Sequence, residues 1–162
     1  MTVLLTDGLD AVSMRRVAAE LNISPIPVYD RVGNKEALLD AMAARVTEDF
    51  APAPRDGEPW TDYATRWCHQ LRDRRLAVPD HRLFVRIGRS AAVAAADPLV
   101  DRLVRDGFTN NGAVAAARLL MWAVFGHVAV ELGRTEGGDA DSDALFDQHI
   151  TLLIHGLSEG RS

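Results

Sequence analysis

One cysteine among 162 residues, Cys68, cannot close an internal disulfide, and no Cys/His cluster has the spacing of a zinc site. Lysine is nearly absent as well: Lys35 stands alone beside seventeen arginines, a bias typical of GC-rich coding sequence. The net charge is −5, so the chain lacks the basic excess that coats nucleic acid nonspecifically, and any DNA binding has to be local and site-directed. There is no HExxH pair, no nucleophile elbow and no glycine-rich phosphate loop after a strand. The histidines at 69, 81, 127, 149 and 155 therefore lack a catalytic frame, and neither an enzyme nor a cofactor is expected. No apolar run approaches a membrane span, and Met1–Asp10 has neither the basic start nor the apolar stretch of an export signal, so a cytoplasmic chain with no membrane partner is expected. With 48% hydrophobic and 25% charged residues, the chain can bury one core of ordinary size and a small satellite domain.

What is present is helical punctuation. Ser13 is a good N-cap, and Met14, Val17, Ala18 and Leu21 follow at the spacing of one helical face, predicting a short helix that ends near Asn22. Ser24 can cap a second short helix with Pro25 at its first position, where the missing N–H and fixed φ do no harm. Val28 and Val32 give that helix a buried side around Tyr29, and Gly33 stops it. From Asn34 a longer helix carries Leu38, Leu39, Met42 and Val46 on one stripe. Two short helices joined by a tight turn are the sequence form of a helix-turn-helix.

The run Gly8-Leu9-Asp10-Ala11-Val12-Ser13-Met14-Arg15-Arg16-Val17-Ala18-Ala19-Glu20-Leu21-Asn22-Ile23-Ser24, Tyr29 at the end of the second helix and Asn34-Lys35-Glu36-Ala37-Leu38-Leu39 at the start of the third resemble the DNA-binding domain of TetR-family bacterial transcriptional regulators. Val32, where many members carry Phe, makes the tetracycline-repressor branch the nearest likeness. The resemblance implies an all-α protein: a three-helix helix-turn-helix domain over 1–46, then a helical effector-binding and dimerisation domain over 47–162. It also implies a truncated first helix, because the family's runs well upstream of the Asp7-Gly8 turn while Met1–Thr6 are what stand here, and a chain cut there grips DNA less well.

The expected DNA-binding residues divide by chemistry. Ser13, Arg15, Arg16, Tyr29 and Lys35 suit backbone phosphates, which fix position without reading sequence. Ser24, Pro25, Ile26, Pro27 and Arg31 form the face that meets base edges, with Arg31 the strong guanine reader. That face is poor in hydrogen-bond donors, which leaves apolar contact with thymine methyl groups as one use for Ile26 and the prolines. Asp30 either accepts from a cytosine amino group, faces solvent or pairs with Arg31. The first 50 residues hold five basic side chains against eight acidic ones, an unusual balance for a DNA-binding domain.

Ala51-Pro52-Ala53-Pro54-Arg55-Asp56-Gly57-Glu58 breaks the periodicity and reads as a linker. Beyond it the spacing predicts a helix from Pro59 carrying Trp60, Tyr63, Ala64, Trp67, Cys68 and Leu71, with Cys68 a buried thiol. Another is predicted from Pro79 through Leu83, Phe84, Ile87 and Ala91, and a short one from Asp97-Pro98 to Gly107. The longest runs from Thr109 to Leu132 with Val114, Ala117, Met121, Val124, Val128 and Leu132 on one side. A polar loop over Gly137–Ser142 precedes a final helix with Phe146, Ile150, Leu153 and Leu157 on one face and Leu145, His149 and Leu152 beside it. The last two helices are apolar around too much of their circumference for a small monomer, and the resemblance implies a homodimer on a palindromic operator.

The resemblance further implies a small-molecule effector, with Trp67, Phe84, Arg86, Phe108, Met121, Trp122, Phe125 and His127 as candidate cavity residues. His69 and Glu131 are further polar candidates. His127 and Glu131, four apart on one helix, could pair, orient a ligand or share a metal, and a structural hydrogen bond between them is expected. The helix from Asn34 to Phe50 is the expected lever by which an effector alters operator fit, giving a repressor released by its ligand. The contrasting reading is a dimeric small-molecule binder that has lost operator binding.

Overall fold

The computed structural model describes residues 2–47, 51–78, 82–85, 89–133 and 139–160, and every regular element in them is a helix. The chain forms two compact units, residues 1–48 with 77–92, and 49–76 with 93–162.

The first unit starts with α1 (Thr2–Asp7), α2 (Met14–Glu20), α3 (Pro25–Val32) and α4 (Lys35–Thr47). Each boundary has a local cause. Ser13 Oγ accepts from Arg16 N at 3.2 Å, Ser24 Oγ accepts from Ile26 N at 3.4 Å, and Asn34 Oδ1 accepts from Ala37 N at 2.9 Å, so all three helices start on a side-chain cap. α2 ends as Asn22 turns left-handed at φ 53°, letting Ile23 N reach Ala18 O at 3.0 Å and Asn22 N reach Ala19 O at 3.1 Å. Leu21 therefore sits past the last helical turn and is 60% exposed, not on the buried face that the spacing assigned it. Gly33, at φ 91°, ends α3 and donates to Tyr29 O.

Leu4, Val12, Met14, Ala18, Val28, Leu38, Leu39 and Ala43 form the core of this unit. Val78 and Leu83 join it from beyond the linker, outside the expected 1–46 domain. Leu83 lies on α6 (Arg82–Val85), and Arg82 grips Asp10 through two hydrogen bonds at 3.2 and 3.0 Å, a tie with no sequence signal. Pro79, Ile87 and Phe50, and the side chains of Val46 and Ala91, lie outside the described residues.

The second unit is built on α5 (Trp60–Leu76), α7 (Arg89–Arg105), whose first residues belong to the other unit, α8 (Asn110–Gly133) and α9 (Asp139–Glu159). The linker ahead of α5 is pinned. Glu58 accepts from Arg66 Nε and Nη2, both at 2.7 Å, and from Arg55 N at 3.2 Å, while Arg66 also donates to Ala53 O at 3.0 Å. α5 buries Trp60, Tyr63, Ala64, Trp67, Cys68 and Leu71, as its spacing predicts. Burial pushes the Cys68 thiol up to about 12, which leaves it protonated and inert.

Four expectations fail here. α7 runs straight through Asp97-Pro98, where a new helix start was expected: Ala95, Leu99 and Leu103 are buried on one stripe across the proline, and that burial outweighs the lost hydrogen bond. Its end is as expected, with Gly107 at φ 97° and Phe108 N reaching back to Leu103 O. α8 starts on a Thr109 cap and buries Ala117, Met121, Val124 and Val128, but Val114 and Leu132 are 52% and 42% exposed. The drift of a 3.6-residue repeat carries both ends of that stripe off the packed side. α9 begins at Asp139, so Ser142 is helical and not part of the expected loop; residues 134–138 are outside the described set. α8 is also long and apolar enough to cross a membrane by length and composition, contrary to the sequence reading, yet it packs against α5 and α9 within its unit.

Gly33 offers a direct check. Nothing lies within 4 Å of a Cβ built there, so Gly33→Ala costs only the left-handed strain, about 1–2 kcal/mol by urea denaturation. A neutral substitution would show that the α3–α4 corner is not held as described.

Candidate functional site

α2 and α3 pack on each other. Val28 is 6% exposed, and the residues two before and two after it, Ile26 and Asp30, both stand on the opposite, exposed side of α3. Ile26 is 68% exposed and Tyr29 47%. Pro27, Arg31 and Lys35 are exposed too, and Pro25 is partly covered. Ser13 and Ser24 each hold a helix cap with the hydroxyl oxygen, leaving the O–H proton as the group to offer a phosphate. Arg15 is exposed, whereas Arg16 is held by Asp7 at 2.9 Å. That ion pair is itself surface-exposed and can be exchanged for a phosphate contact at little cost.

The second unit assembles a different chemistry where α5 meets α8 and α9. The Arg72 side chain, 7% exposed, donates to Glu131 at 2.6 and 3.2 Å and pairs with Asp143 at 2.6 Å. Its guanidinium lies 4.9 Å from the centre of the buried Phe146 ring, against which His69 and His127 set their edges at 5.2 and 5.0 Å. His69 pairs with Asp147 at 3.1 Å, and His127 sits 3.5 Å from Ser142 Oγ. The expected His127–Glu131 hydrogen bond is replaced: Arg72 claims the carboxylate.

The model of the "Bacterial regulatory proteins, tetR family" matches residues 1–42. A tetracycline repressor protein of class A from transposon 1721 of Escherichia coli is 25% identical across 95% of this chain and 84% of its own length. A TetR variant from Acinetobacter baumannii AYE, solved in complex with minocycline, superposes with a TM-score of 0.81 at 26% identity, covering 99% of this chain and 93% of that one. The family model, the repressor and this structure together support a TetR-family regulator. ActR, a TetR-family protein of Streptomyces coelicolor solved in complex with actinorhodin, gives a TM-score of 0.77 at 25% identity over 99% of this chain and 93% of that one. These homologues support a DNA-binding regulator.

Against the TetR frame the effector candidates separate. Trp67 is fully buried on α5, Met121 is 7% exposed on α8, and Phe125 and His127 are partly buried on α8. Arg75, also buried, places its guanidinium 4.7 Å from the centre of the Phe125 ring, and burial brings its pKa down to about 10. Phe108 stands apart at the α7–α8 corner, edge-on to Trp60 at 5.1 Å, beside a 250 Å³ groove shared with Leu119 and Gly156. Trp122 does not join any of them: it is 60% exposed on the outer side of α8, under Arg118 at 5.3 Å. Arg86 and the Phe84 side chain lie outside the described residues. Sequence reasoning missed Arg72 and Arg75 altogether, although both continue the buried α5 stripe of Ala64, Trp67, Cys68 and Leu71, and a charge in an apolar register was the available signal.

The network makes stability depend on pH with a definite sign. The Arg72 hydrogen bonds hold the Glu131 carboxyl below its ordinary 4.5, and burial holds His127 below its ordinary 6.5. Both depressed values contribute stability that is present above the ordinary pKa and is lost as pH falls through the folded one. Urea denaturation should therefore show a decline beginning below pH 6.5 and steepening below 4.5. Arg72→Ala should lower stability at pH 7 by about 2–3 kcal/mol and flatten the steeper part. An unchanged acid profile in that variant would remove Arg72 as its cause.

Proposed function

We propose that this protein is a cytoplasmic, homodimeric repressor that binds a palindromic operator and is released from it by a small, mainly apolar effector. The observation that supports the DNA half is the exposure of Ile26, Tyr29 and Arg31 of α3 and of Lys35 of α4, in a segment matched by the family model. Tyr29 and Lys35 serve phosphates, Ser13, Arg15 and Arg16 add to the grip, and the α3 face meets the bases. A palindrome needs two copies, and α8 and α9 supply the surface for a second: Leu119, Trp122 and Val130 on one and Leu145 and Leu152 on the other are between 47% and 64% exposed. Apolar exposure on that scale along two neighbouring helices is the mark of an interface.

The effector half rests on the TetR-family complexes with minocycline and actinorhodin and on the aromatic and soft side chains of α5 and α8, Trp67, Met121, Phe125 and His127. A ligand there releases the operator by binding the non-DNA-binding conformation better, by a few kcal/mol.

A fluorescence-anisotropy titration against DNA from the protein's own promoter region, over a salt series, tests the reading. Saturable binding that weakens with salt is expected, with Tyr29→Phe weaker by about threefold. Lys35→Ala should lose about three- to tenfold and reduce the salt slope by about 1. A second reading, a dimeric small-molecule binder without an operator, is favoured by the acidic balance of the first 50 residues; no saturable binding at low salt would select it.

A further inference from the structure

The first turn of α3 has no hydrogen-bond donor to offer. Pro25 and Pro27 carry no N–H, and the Ile26 N–H between them is already taken by Ser24 Oγ at 3.4 Å. No side chain from 25 to 27 has a polar atom. A helix N-terminus would ordinarily hold a phosphate with its free N–H groups, and the first turn of this one has none to give, leaving only the Ser24 O–H at its cap. In their place stands Ile26, directly opposite the buried Val28 and, at 68%, the most exposed large apolar side chain among the described residues. Its outward neighbour one turn on is Asp30, which repels phosphate and the acceptor-rich edge of guanine.

An apolar side chain at the centre of a reading face gains binding energy only by burying itself against something apolar. The major-groove edge of DNA offers one such group, the C5-methyl of thymine. We infer that Ile26, flanked by Pro25 and Pro27, reads thymine methyl groups at the centre of each operator half-site, so that specificity there comes from apolar contact and not from hydrogen bonds. This inference rests on the operator-binding reading above. It makes the central contact insensitive to donor and acceptor pattern and sensitive to a single methyl group.

The test uses duplexes selected by the full chain from a randomised 30-base-pair library. Each thymine of the selected site is then replaced in turn by uracil, which keeps every hydrogen-bonding group and removes only the methyl. Loss of one buried methyl should weaken binding about three- to fourfold at one or two central positions of each half-site. Ile26→Ala, a substitution at an exposed side chain that leaves the fold intact by circular dichroism and thermal melting, should bind thymine and uracil duplexes alike at those positions. Uracil scanning that leaves affinity unchanged throughout a site the protein does bind would overturn the inference while sparing the operator reading, as would an Ile26→Ala protein that retains the full thymine preference. Failure to enrich any duplex would overturn the operator reading and this inference with it.

Discussion

An eight-residue helix with two prolines in its first turn cannot hold itself together in water, since isolated helices shorter than about 12 residues are marginal even with ideal composition. α3 exists because Val28 is buried and Val32 partly buried against the core that Leu4, Val12, Ala18, Leu38 and Leu39 supply, and because its two ends are fixed from outside, by Ser24 at one and Gly33 at the other. The direction of the reading face follows from that single contact: with Val28 inward, Ile26 and Asp30 have to face out. Whatever this protein recognises at that surface is therefore set by the packing of one valine as much as by the exposed residues themselves.

The second unit solves a different problem. α8 and α9 are long enough to need little help in forming, and what they require is a fixed relation to α5. Arg72 provides it by reaching from α5 to Glu131 on α8 and Asp143 on α9 while lying over Phe146. Buried charge of this kind adds less to net stability than its short distances suggest, because desolvation offsets much of the attraction, but removing one partner strands the other. The arrangement favours one packing of three helices over its alternatives. A family whose members respond to ligands needs such a defined alternative to shift between.

Local signals carried the first unit. Ser13, Ser24, Asn34 and Gly33 act within four residues of themselves, so their caps and stops could be read from the sequence, and the α2–α3 pair followed. That Ile26, Tyr29, Arg31 and Lys35 are each exposed was legible for the same reason. Signals that depend on distant burial were not. Pro98 reads as a helix start until Ala95, Leu99 and Leu103 are seen buried on both sides of it. Trp122 reads as cavity lining because aromatics favour interiors, yet it faces outward with Leu119 and Val130. Arg72, Arg82 and their distant carboxylate partners are separated by 59 to 72 residues, beyond any spacing rule, and the contribution of Val78 and Leu83 to the first core is hidden in the same way.

Whether α3 and its flanks form the DNA-reading surface can be decided by amide hydrogen exchange of the full chain with and without a bound promoter duplex. Slowed exchange is expected at residues 14–16 and from 28 to 37 when DNA is added, since those amides lie at the start of α2, along α3 and at the start of α4. Exchange left unchanged there while DNA is bound, with slowing confined to residues 93–160, would contradict it.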